Sequence, residues 1–161
     1  GTDDSHRYNT FAPKMNNPGR GWIMVKANDL SAKSLIAAME AGEFYASSGV
    51  QLKNVERGPK RYSIEVAPEN GVTYSIQFIG TRKGFDPKSE PLKSETGATL
   101  PVTRRYSKDI GVVLKEVKGT SATYQLKGNE IYVRGRIISS KLKVSAVKDE
   151  VERAWTQPLV P

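Results

Sequence analysis

Residues 61–80 read Arg61-Tyr62-Ser63-Ile64-Glu65-Val66-Ala67-Pro68-Glu69-Asn70-Gly71-Val72-Thr73-Tyr74-Ser75-Ile76-Gln77-Phe78-Ile79-Gly80. Tyr62, Ile64 and Val66 alternate with Ser63 and Glu65, and Val72, Tyr74, Ile76 and Phe78 alternate with polar or smaller residues. A period of two puts each apolar set on one face, which is the pattern of a half-buried antiparallel strand. Between the two runs stands Pro68-Glu69-Asn70-Gly71, and Asn-Gly tolerates positive φ at both positions. The stretch therefore predicts a β-hairpin over about residues 61–80.

Toward the C-terminus the same period returns at residues 110–117, 120–126, 131–139 and 143–147, with a last segment at 153–157. Lys118-Gly119 and Gly128-Asn129 supply turns. Six or seven short strands with tight turns predict an antiparallel β-sandwich over residues 49–161. Residues 81–109, rich in Lys, Pro and Ser, carry little pattern apart from Thr99-Leu100-Pro101-Val102. They read as a long functional or mobile loop.

Toward the N-terminus the pattern is different. Residues 7–21, rich in Asn, Pro and Gly, read as an irregular connection into a short apolar strand, Trp22-Ile23-Met24-Val25. A short helix follows, with Ser31 as N-cap, Leu30 and Leu35 as a hydrophobic staple, and Gly42 as the left-handed residue that ends it. Leu35, Ile36 and Met39 share a face that needs a partner, because a helix of about ten residues is marginal alone in water. Trp22, Phe44 and Tyr45 read as packing residues for that helix.

Composition narrows the chemistry. The 161 residues are 37% hydrophobic, enough for one ordinary domain, and hold no apolar run long enough to span a membrane. No leader peptide is read in the chain, which opens on Gly1, and the compartment stays open. With no Cys and the single histidine His6, the chain has neither thiolate ligands nor a two-His metal site of its own. The formal charge is +8, and it lies beyond residue 48: residues 1–48 hold five Lys/Arg and five Asp/Glu, leaving twenty and twelve for 49–161. A basic surface of this kind suits a polyanion, a phosphorylated substrate or an acidic neighbour, and equally a plain solvated face. Tyr132, Arg134 and Arg136 are expected on one strand face, opposite Ile131, Val133 and Ile137, as a basic stripe. Arg20, between Gly19 and Gly21, is a candidate phosphate contact, since glycines allow close approach and guanidinium pairs bidentately with phosphate. No nucleic-acid signature accompanies the charge, so a nucleic-acid partner is not expected.

The head of the chain, Asp3-Asp4-Ser5-His6, resembles the last metal-binding motif, Asp-x-His, of the PHP (polymerase and histidinol phosphatase) phosphoesterases. The sequel keeps the order of one subgroup of that family: Gly19-Arg20-Gly21-Trp22-Ile23-Met24-Val25, the helix, then Ala41-Gly42-Glu43-Phe44-Tyr45-Ala46-Ser47-Ser48-Gly49. Weaker likeness continues through Gln77–Arg82, Ile131–Arg134 and Ala154–Pro158. The resemblance implies that residues 1–48 are the C-terminal remnant of a distorted (β/α)7 barrel and that Asp4 and His6 are metal ligands. The implied cofactor is a divalent ion (Zn, Mn or Fe), the implied substrate a phosphoester, and the implied partner the rest of the barrel, which holds the remaining ligands. The chain is then an incomplete active site. The competing expectation is a noncatalytic β-sandwich module that binds carbohydrate or a polyanion.

Overall fold

The turn at Asn70-Gly71 forms, with Gly71 at φ 76°, but it does not close a hairpin. In the computed structural model, which describes residues 5–12, 15, 17–143 and 150–161, the two strands it joins belong to different sheets. β4 (Arg61–Val66) lies between β3 (Leu52–Arg57) and β9 (Ser121–Gln125) in a three-stranded sheet, here sheet B. β5 (Tyr74–Arg82) lies between β10 (Glu130–Leu142) and β8 (Val112–Lys118) in a six-stranded sheet, sheet A. The expected hairpin is thus corrected to a crossover between layers. Its physical reason is that both apolar sets are buried against each other: Tyr62, Ile64 and Val66 face Ile76 and Phe78 across the core instead of lying beside them. Seven residues, 67–73, span the gap.

Sheet A runs in the order β1-β2-β11-β10-β5-β8, where β1 is Trp22–Val25, β2 is Phe44–Ser47 and β11 is Val151–Thr156. All of its recorded pairings are antiparallel. The protein is mainly β, an antiparallel sandwich with one helix among the described residues. At the centre Phe78 meets Tyr62 and Tyr124, with ring centroids 5.8 and 5.7 Å apart. Val133 and Ile137 close the core from β10.

The helix α1 (Ala32–Glu40) follows its local signals. Ser31 Oγ accepts the Ser34 N–H at 3.2 Å, and Gly42, at φ 70°, sends its N–H to the Met39 carbonyl. None of its residues is buried. No described helix is long and apolar enough to cross a membrane.

The stretch 81–109 is more regular than its composition suggests. β5 continues to Arg82, and β6 (Ser89–Lys93) pairs with β7 (Thr99–Tyr106) as a separate two-stranded hairpin. The expectation of a structureless loop is corrected: two short strands satisfy each other's backbone groups without a continuous apolar face. The strand expected at 143–147 falls largely on 144–149, outside the described residues. Residue 48 marks no break in the sheet. Ser48 N–H donates to the Arg153 carbonyl at 2.9 Å, Arg153 N–H donates to Ser48 Oγ at 3.0 Å, and β2 pairs with β11 through Ser47↔Ala154.

Candidate functional site

Asp4 lies outside the described residues. His6 is exposed, in an irregular segment, and two residues on Tyr8 Oη donates to the Ser5 carbonyl at 3.0 Å. The loop that follows is organised by Asn17, a buried residue that sequence reading passed over. Its Nδ2 donates to the Arg7 and Thr10 carbonyls at 2.8 Å each, and its Oδ1 accepts the Ala12 N–H at 3.2 Å. One amide thus satisfies three backbone groups of a segment that has no ladder to satisfy them. The only available signal was the Asn-Pro-Gly composition around it. Arg20 is half-buried, and its Nη2 donates to the Ala12 carbonyl at 3.2 Å, so part of this guanidinium serves the same loop.

On β10 the expected basic stripe divides. Arg134 is exposed. Arg136 is half-buried and donates through Nε to Gln77 Oε1 at 2.8 Å, while Gln77 Nε2 donates to Glu116 Oε2 at 2.9 Å. Glu116 also accepts from Ser75 Oγ at 2.6 Å. The Ser75 and Gln77 hydrogen bonds hold its carboxyl below the usual glutamate range, and the nearby Lys118 and Arg136 add to the effect. Arg136 therefore belongs to a charge-balanced network on the outer face of sheet A. Ile131 is a further departure: a register shift between Glu130 and Tyr132 leaves it exposed instead of aligned with the buried Val133 and Ile137.

A further set of residues converges between β1–β2 and β3. Arg57 Nη2 donates to Glu43 Oε1 at 2.6 Å, and Tyr45 Oη accepts the Leu52 N–H at 3.0 Å. Tyr45 thus packs between the sheets, where the sequence had suggested a contact for the helix.

No protein-family model, curated protein or solved structure matches the chain. As for metal chemistry, the chain offers one imidazole and no thiol. Among the described residues no three His, Asp or Glu side chains are grouped so as to hold an ion. Asp4 and His6 would supply two ligands, fewer than the three that a protein commonly gives a catalytic zinc. These residues alone do not fit the implied ion.

Proposed function

We propose that these residues are the C-terminal region of a PHP-type metal-dependent phosphoesterase, with the β-sandwich as an appended domain beside the catalytic barrel. The motif order from Asp4 to Gly49 supports the reading. The observation that carries it is the distribution of exposed apolar side chains. Of the fourteen large hydrophobic residues exposed among the described ones, seven fall between Tyr8 and Met39. Leu30 and Phe11 are 91% and 70% exposed, and α1 buries none of its residues. An amphipathic helix gains most of its stability from packing its apolar face, so such a segment calls for a further body of protein against it. In this reading that body is the barrel, which also brings the ligands that Asp4 and His6 lack.

The test uses the full-length gene product. About 200 residues of upstream reading frame, a usual minimum for such a barrel, should contain a His-x-His pair near their start. The purified protein should bind divalent metal and hydrolyse a phosphoester such as p-nitrophenyl phosphate. His6→Ala should lower turnover by more than the roughly 10–100-fold typical of groups that only orient a ligand, whereas Arg134→Ala should leave it unchanged. Full metal content and rate in a folded His6→Ala protein would end the proposal.

A further inference from the structure

Between β1–β2 of sheet A and β3 of sheet B lies a cleft of about 310 Å3. Its walls follow from the strand order, because β1 is the outermost strand of sheet A and β3 an edge of the narrower sheet B. Met24, Tyr45, Leu52 and Val55 give it apolar walls. On β3, Val55 and Arg57 pair with the core residues Ile64 and Tyr62, and cross-strand partners share a face. Arg57 is thus directed between the sheets, with its side chain 19% exposed. Its guanidinium lies beside Gly42, where a Cβ would stand in ordinary contact, 3.4 Å from Arg57 Nη1.

A guanidinium has five N–H donors, and its bond to Glu43 uses one nitrogen. Lys26 also lines the cleft, whereas the Lys53 ammonium is held by Glu65 at 2.7 Å, so two cations face one carboxylate. This excess of positive charge beside apolar walls is complementary to a ligand that is anionic at one end and apolar at the other. We propose that the cleft binds a small organic anion with a flat apolar body, of the class of aryl phosphates and aryl carboxylates. The ring lies against Tyr45, Leu52 and Val55, and the anionic group accepts from Arg57. The volume is at the lower end of the roughly 300–1,000 Å3 common for ligand pockets, which favours a single ring over a larger body. The site uses neither Asp4 nor His6 and stands independently of the phosphoesterase reading.

The experiment is a titration of the 15N-labelled 161-residue chain, followed by amide chemical shifts, with phenyl phosphate, inorganic phosphate and benzyl alcohol in parallel. Phenyl phosphate should give saturable shifts centred on Gly42, Phe44, Asn54 and Gln157. Inorganic phosphate and benzyl alcohol should each bind at least about tenfold more weakly, since each offers half of the complementarity. Arg57→Gln should weaken phenyl phosphate about tenfold or more, and Arg134→Gln should leave it unchanged. Because Arg57→Gln removes an ion pair between elements, a Lys26→Gln variant, altered only at an exposed position, provides a second measure with an expected loss of about twofold. Equal response to inorganic phosphate, shifts without saturation, or unchanged affinity in either folded variant would overturn the proposal.

Discussion

Tyr62 shows how one side chain joins the two sheets. Its ring is fully buried on β4, while its hydroxyl donates to the Gln157 carbonyl at 2.8 Å and is hydrogen-bonded to Thr156 Oγ1. Thr156 Oγ1 also accepts the Gly135 N–H at 2.7 Å, so the hydroxyl pair ties sheet B to two strands of sheet A. Burial pushes the phenol from 10.0 up to about 12, against the opposing hydrogen bond with Thr156. The consequence for stability has a definite sign. Between pH 10 and about 12 the unfolded chain loses this proton while the folded one keeps it, so stability falls as pH rises through that window, by about 3 kcal/mol in all. Tyr62→Phe should cost about 1 kcal/mol near pH 8 through the lost hydrogen bonds. It should also remove this titration, so that the deficit of the variant shrinks and then reverses above about pH 11. Urea unfolding of both proteins at several pH values up to 11.5 measures the difference, in which the other tyrosines and lysines cancel. A deficit that stays constant with pH would show that the Tyr62 phenol is not shifted by burial.

At the scale of elements, local chemistry was legible and partnership was not. Ser31 and Gly42 announced both ends of α1 because caps act on backbone groups a few residues away. The alternation of Tyr62, Ile64 and Val66 announced a strand because its period is written along one segment. Asn70-Gly71 announced a turn but not which sheet the next strand would join, since that depends on where Phe78 finds Tyr62 and Tyr124. The cleft was illegible for the same reason: its walls come from residues 24–26, 42–45, 52–55, 57 and 156–157, which only topology assembles. The β6–β7 hairpin was missed because none of its described side chains joins the core, and this gives it a testable property. It pairs with no other strand, and at its base Asp86 N lies 3.5 Å from Asp109 Oδ2. Replacing residues 87–108 with a short Gly-Ser turn should change stability by no more than about 0.5 kcal/mol, a shift of a few degrees in Tm. Calorimetry reads this directly, and loss of cooperative unfolding would show that the hairpin supports the core after all.

At the scale of the whole molecule, sheet A pairs strands from both sides of the division suggested at residue 48. Sequence analysis placed a barrel remnant before that point and the sandwich after it, yet β2 pairs with β11 and carries β1 on its far side. The junction is closely fitted. Ser47 Oγ donates to the Val50 carbonyl at 2.6 Å, and Gly49, at φ 150°, lies against the buried Glu152, whose carboxyl carbon would stand 2.1 Å from any Cβ at that position. Gly49 therefore lets the chain pass over β11 in a conformation and a space that side-chain-bearing residues rarely share. Without residues 22–47, β11 would become an edge with unpaired N–H and C=O groups beside the apolar Ala154 and Trp155, a template for pairing with another chain. A fragment of residues 49–161 should accordingly lose stability by several kcal/mol, on the scale of the roughly 5–15 kcal/mol that holds a domain of this size. It should also self-associate, whereas residues 22–161 should stay monomeric at the same concentration. Sedimentation velocity and thermal unfolding of the two fragments decide between a sandwich that borrows its edge from the N-terminal segment and one that is complete without it. A monomeric 49–161 fragment with an unchanged Tm would establish the second, and residue 48 would then be a true domain boundary despite the pairing across it.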